Sequence, residues 1–288
     1  MSQSGAVQST AVSSTTGRVA RKRAWMPGLW RGRLLTGLRR SLVPLLLMAI
    51  WQTLSMAGLI NRQAMPAPST IIASFWEITV TNQLLPNLLV SLIRVLLGLA
   101  LGVATGTLLA LIAGLSISGE ESVDPTVQMA RTLPHLALIP LMILWFGVGE
   151  TPKLALIALG VTFPIYLNLF SAVRGADPKL LEVATIFGLS PAQKIRHVIL
   201  PAALPGFFVG LRQALGVAWI TLVVAEQINA SAGIGYMVNN ARDFLRTDII
   251  FDGLLVYALL GLATDYLVRL LEARSLKWRP SIITLPSA

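Results

Sequence analysis

The chain has 288 residues, 55% of them hydrophobic and only 12% charged, with a formal net charge of +10. Soluble domains carry roughly a quarter charged residues, so this composition excludes a soluble globular chain and points to a polytopic membrane protein. With no cysteine, disulfides and thiolate chemistry are excluded, and two isolated histidines, His135 and His197, cannot make a histidine-rich metal site.

Residues 1–17 carry no charge and are rich in Ser, Thr, Gln and Val, a composition that predicts disorder. The arm up to residue 40 then gathers Arg18, Arg21, Lys22, Arg23, Arg31, Arg33, Arg39 and Arg40, whereas the first acidic residue is Glu77. Basic residues directly before an apolar run keep an N-terminus in the cytoplasm. Bases and aromatics do not interleave as in a nucleic-acid platform, so no nucleic-acid partner is expected; attraction to anionic lipid is a secondary effect.

The first apolar segment, 41–60, has about the ~20 residues needed to cross the hydrocarbon layer and reads as an uncleaved signal anchor. Pro66-Ala-Pro68-Ser69 is a turn, with Ser69 placed to cap a short helix whose Ile71, Ile72, Phe75, Trp76 and Ile78 would lie along the outer membrane surface. A second segment, 87–116, is interrupted only by Arg94, and its Gly98, Gly102 and Gly106 allow another helix to approach closely. Glu120, Glu121 and Asp124 mark a polar loop. Segment three, 127–146, contains Pro134 and Pro140 and should be kinked or in two parts. Segments four to six are expected at 153–173, 206–230 and 249–271, with an external loop at 231–248 and a tail at 274–288. Six crossings put both termini in the cytoplasm, where Lys179, Lys194, Arg196, Arg274, Lys277 and Arg279 satisfy the charge rule. The fold class is thus all-α: a membrane domain over 41–273, flanked by the arm 1–40 and the tail.

The polar excursion at 177–201 reads as a helix-turn-helix. Asp177 caps a helix with Pro178 at its first position, and Gly188 ends it in a left-handed conformation. Ser190-Pro191-Ala192-Gln193 is a capping box opening a second helix that Pro201 closes. Leu180, Val183, Ala184 and Phe187 share a stripe, which either packs on the bundle or receives a partner.

Glu182-Val183-Ala184, Gly188, Val198, Leu200 and Pro201 resemble the EAA loop of binding-protein-dependent ABC importer permeases: Glu-Ala-Ala, three residues, Gly, nine residues, Ile, any residue, Leu-Pro. Val183 and Val198 are conservative departures. The resemblance implies that this loop is the coupling helix seated in a cytoplasmic ABC ATPase subunit, with Leu180, Glu182, Val183, Ala184, Phe187, Gly188, Leu200 and Pro201 as its coupling residues. From about Pro66 to Trp278, segments such as His135–Gly147, Thr162–Tyr166, Ser231–Tyr236 and Asn240–Asp248 look like aliphatic sulfonate permeases, a branch that also holds taurine and nitrate permeases. The resemblance further implies an external substrate-binding protein, a permease homodimer in the bacterial inner membrane, and ATP and Mg held by the partner ATPase. No cofactor is expected in this chain, whose Ser231–Gly235 lacks the Lys-Ser/Thr of a phosphate-binding loop.

Charges within apolar segments cost at least ~2.5 kcal/mol each and need partners. Arg212 and Asp265 each lie six residues from an inner helix end, about 9 Å deep, and are expected to form a structural ion pair. Arg94 either attracts an anionic substrate or is neutralised by Glu226 or Asp252. Trp145, Tyr166, Asn168, Trp219 and Tyr236 join Arg94 as candidates for a pathway lining, although interface anchoring accounts for the tryptophans equally well. A secondary transporter would need midplane ionisable groups on repeated, broken helices, and a membrane enzyme would need clustered catalytic groups; neither pattern is visible.

Overall fold

A computed structural model describes residues 28–61 and 63–278, with side chains from Leu42 onward. The disorder expected at the start of the arm, and the tail after Trp278, lie outside the described residues. The chain divides after Ile50. Before that point stands the leading part of helix α1 (Gly28–Met56), whose Leu42, Val43, Leu45, Leu46 and Leu47 are exposed. The helix stops at Met56 rather than at residue 60. Gly58, at φ 72°, turns the chain, with Gly58 N–H bonded to Ser55 O and Leu59 N–H to Leu54 O.

The second unit begins at Trp51 and is entirely helical among the described residues. Helix α2 (Pro68–Val80) starts with Pro68 at its first position, and Ser69 does not cap it. Gln52 does that work from outside: its Oε1 accepts from Ser69 N–H at 3.1 Å and its Nε2 donates to Ser69 Oγ at 2.9 Å. Ile71 and Ile78 of α2 are buried, whereas Ile72 and Trp76 are exposed, so the expected single apolar face is split between protein and surroundings.

Among the described residues, four helices are long and apolar enough to cross a membrane: α3 (Leu84–Leu115), α6 (Glu150–Arg174), a continuous helix from Pro191 to Ile228, and α11 (Thr247–Ser275). A fifth passage is bent by 81°, from α4 (Ile117–Ala130) into a 3₁₀ turn at His135–Leu138 and α5 (Ile139–Phe146). This is the two-part form that Pro134 and Pro140 predict. The expected polar loop at Glu120–Asp124 is instead helical. Ser116 caps α4 by accepting from Gly119 N–H at 3.0 Å, and two of the three acidic residues find partners on α6. Glu120 pairs with Arg174, and Asp124 accepts from Tyr166 Oη at 2.8 Å.

Helix α6 is the central post. Gly98, Gly102 and Gly106 of α3 face it directly: a Cβ on Gly102 would fall 2.6 Å from both Ala158 O and the Val161 side chain. The glycine stripe therefore serves α3–α6 packing within the chain, with Thr105 and Thr162 hydroxyls 2.7 Å apart beside it. Overpacking there typically costs about 1–3 kcal/mol, so Gly102→Val should lower the thermal midpoint of the detergent-solubilised protein. Gly261→Ala, where a Cβ would meet nothing within 4 Å, should leave the midpoint unchanged or raise it.

Candidate functional site

One end of the bundle is closed by a buried ionic knot centred on Arg94 of α3, which is 4% exposed. Its Nε and Nη2 donate to the Glu150 carboxylate at 2.5 and 2.6 Å, and its Nη1 donates to Glu226 Oε1 at 2.7 Å and to Ala232 O at 2.6 Å. Glu226, 1% exposed, also accepts from Ser91 Oγ, Gly235 N–H and Tyr257 Oη. Lys153 Nζ lies 3.0 Å from Glu150, so two cations face two carboxylates. Full pairing of this kind is what buried charge requires.

The 231–235 segment is held by the same knot. Gly233 N–H donates to Asn87 Oδ1 and Ile234 N–H to Ser91 Oγ, both at 2.8 Å. Gly233 sits at φ 117°, and a Cβ on it would collide with the Glu226 carboxylate and Arg94. The glycines here bring backbone N–H groups against the protein's own side chains. The expected external loop at 231–248 is largely helical, because helix α10 (Ile234–Asp243) occupies its middle and packs on this knot.

At the opposite end lies the hairpin. Helix α7 (Pro178–Ile186) is capped by Asp177 Oδ1, which accepts from Lys179 N–H at 2.9 Å. It closes with Gly188 at φ 73°, Gly188 N–H bonded to Thr185 O and Leu189 N–H to Ala184 O. Ser190 and Gln193 form the capping box of α8 (Pro191–Lys194). The second helix does not end at Pro201. It passes through a π segment, Ile195–Ile199, into α9 (Leu200–Asn229). A proline in an α-helix lacks an N–H and clashes with the carbonyl four residues back; the wider turn just before Pro201 relieves that clash. Ala184 is buried at 5% exposure, but Leu180, Val183, Ile186 (84%) and Phe187 (77%) are exposed, as are Glu182 and Gly188. Between α7 and α9 runs a largely apolar groove of about 600 Å³, lined by Val183, Phe187, Val198, Pro201 and Trp278 among others. Leu200 is also exposed.

Residues 102–277 match the family described as binding-protein-dependent transport system inner membrane component. The chain belongs to this family. The permease is 42% identical over 278 residues, 96% of both chains, to an aliphatic sulfonates transport permease protein, SsuC, of Bacillus subtilis (strain 168). It is 45% identical to the protein of the same description in Escherichia coli (strain K12), covering 83% of this chain and 91% of that one. Its fold resembles that of an amino acid ABC transporter, with a TM-score of 0.58 at 19% identity, over 69% of this chain and 96% of that one.

The residues suggested as a pathway lining are not brought together in the permease. Arg94 is consumed by the knot. Tyr166 is fully buried, bonded to Asp124 and stacked on Phe170 at 5.5 Å. Trp219 is buried and donates to Thr264 Oγ1 at 3.1 Å. Trp145 is exposed at the end of α5, and Tyr236 is partly exposed on α10. Arg212 Nε lies 3.5 Å from Asp265 Oδ1, but its shorter contact, 2.5 Å from Nη2, is to Glu272. Asp252 is not a partner of Arg94; its Oδ2 lies 2.6 Å from Ser74 Oγ of α2. Sequence reasoning misses Glu150, Ser91 and Glu272. Glu150 reads as part of a turn before the helix, although an acid in the first turn of a long apolar helix is itself a signal. Ser91 shares the buried stripe of Arg94, Gly98 and Gly102 at helical spacing.

Removing one member of a buried pair costs about 3–5 kcal/mol by stranding the other. Glu226→Leu should therefore destabilise the permease strongly. Arg94→Met combined with Glu226→Leu should cost less than the sum of the two single changes, read as a coupling energy in a double-mutant cycle of thermal unfolding.

Proposed function

We propose that this permease carries a small organic anion, an aliphatic sulfonate, across the bacterial inner membrane after delivery by an external binding protein. The energy comes from separate ABC ATPase subunits, which bind ATP and Mg and dock on the α7 hairpin. In this reading the hairpin end and both termini are cytoplasmic, and the Arg94 knot lies near the outer surface. Two copies of the permease surround one pathway, because the few crossings of a single chain enclose too little space for one. The sulfonate assignment is supported by the description shared by the Bacillus subtilis and Escherichia coli relatives.

The observation that carries the docking role is the exposed apolar face of α7. Leu180, Val183, Ile186 and Phe187 are exposed on α7, a short helix outside the long apolar spans. Contiguous exposed apolar surface of this kind marks a protein interaction site. The hairpin is fixed by its own caps, so the face is presented on a preformed element.

Two measurements test this. In proteoliposomes, ATP-driven uptake of ethanesulfonate should require permease, ATPase and binding protein together; uptake without a separate ATPase subunit refutes the reading. A charge at Ala184 would unseat α7 from its own chain, so the cleaner probe of docking is Phe187→Asp. It should weaken association with the ATPase subunit at least about tenfold, the loss expected of a buried aromatic anchor. The permease should still insert in the membrane. Unchanged association would remove α7 from the interface.

A further inference from the structure

Arg94 and Lys153 face Glu150 and Glu226, and Arg212 faces Asp265 and Glu272, so the cations set deep in the spanning helices are already neutralised. An anion crossing beside this chain must be met there by something other than free positive charge. Several polar side chains of the spanning helices are exposed, Ser171, Gln227 and Tyr266 among them, and one pair of amides is joined across two helices. Asn168 of α6 donates through Nδ2 to Gln213 Oε1 of α9 at 3.0 Å, and also to Pro164 O at 2.8 Å. Both Nδ2 protons are thereby used, and Asn168 holds the Gln213 amide by its oxygen. The Gln213 Nε2 group then points away as a double donor with no hydrogen-bond partner among the described residues.

The surroundings fit such a role. Gln213 is exposed, and one turn further along the same face Gly216 has nothing within 4 Å of where a Cβ would be. Above and below the amide the face is apolar, with Val209 and Ile220 exposed. An unsatisfied amide facing hydrocarbon costs several kcal/mol, so this band must meet water, solute or protein. Neutral donors suit a sulfonate, whose single charge is spread over three oxygens. They bind it without the deep trap that an unpaired guanidinium would form, and conduction requires release as well as entry.

We propose that the Asn168–Gln213 pair is the point at which the transported anion meets this subunit, with Gln213 Nε2 donating to a sulfonate oxygen and Asn168 positioning that amide. The proposal rests on the importer reading and names a contact within it.

The chain has no cysteine, so Gln213→Cys provides the one thiol of this subunit, whose labelling is followed on the isolated permease band after reaction of the intact transporter reconstituted with its ATPase and binding protein. The probe is the water-soluble, sulfonate-bearing reagent 2-sulfonatoethyl methanethiosulfonate, supplied on both sides of the membrane. The thiol should be modified, and ethanesulfonate at about ten times its half-saturating concentration should slow modification about tenfold, as mass action requires. Modification indifferent to ethanesulfonate overturns the proposal. So does reaction with a lipid-soluble maleimide alone, which would mean a lipid-facing residue. A disulfide between two permease copies without reagent access would mean a packed interface and would overturn it equally. In the same system Gln213→Glu, which replaces the donor by a like charge, should raise KM for ethanesulfonate at least about tenfold. An unchanged KM refutes the contact. Failure of the importer reading itself is seen separately, as absence of ATP-driven ethanesulfonate uptake by the unsubstituted complex.

Discussion

A guanidinium buried among apolar helices has to be matched by charge and hydrogen bonds from its own chain, and Arg94 imposes that requirement on everything near it. Its partners come from the start of α6, the end of α9 and the carbonyl of Ala232. Glu226, its main counter-charge, also takes the Gly235 N–H and the Tyr257 hydroxyl. Satisfying one charge thus locates three helices and the turn into α10. The cost of leaving any partner out is the cost of a bare ion in a dry interior, which is why the arrangement has no slack.

The other organising contact is steric. Glycines 98, 102 and 106 let α3 lie directly on α6, and Gly206 and Gly210 do the same for α9, where a Cβ on Gly206 would collide with Ala172. Lipid offers no hydrophobic drive for helix association, so close approach and dispersion must supply it. The result is an asymmetric bundle: one end locked by ion pairs and backbone bonds, the other carrying a capped hairpin whose apolar face is exposed.

Local signals are legible in the sequence wherever a few adjacent residues decide the geometry. The Asp177 cap, the left-handed Gly188 and the Ser190–Gln193 box all stand in the structure as their residue types imply. The bend of the third passage likewise comes from its prolines. The failures have other causes. Pro201 looks like a terminator locally, but a π segment accommodates it and α9 runs on. The acidic run at 120–124 looks like a loop, but it is helical, with Glu120 and Asp124 received by Arg174 and Tyr166 of α6. Ser69 looks like a cap, but Gln52 of another helix takes its place. Tertiary partners decide the last two cases, and pattern along the chain does not name them. Among the candidate pathway residues, Arg94, Tyr166 and Trp219 are buried in partnered positions, whereas Asn168 bonds to Gln213, which a search along the chain does not single out.

The continuity of α9 links the ends. The helix that opens with the capping box at Ser190 runs without a break to Ile228. Along that one element lie the hairpin's second arm, then Arg212 and Gln213, then Glu226 in the Arg94 knot. On the α9 side, a displacement of the hairpin is either absorbed in the π segment at Ile195–Ile199 or carried along the helix to the amide and the knot. Because a helix is held by a bond at every residue, it yields to the first only where its register is already irregular. The π segment is such a place, and it lies between the hairpin and the rest of α9. The stiffness of five residues therefore sets how much of any motion of the hairpin is carried along α9, while α6, joined to α7 by residues 175–177, is the other link to the ion pairs at the far end.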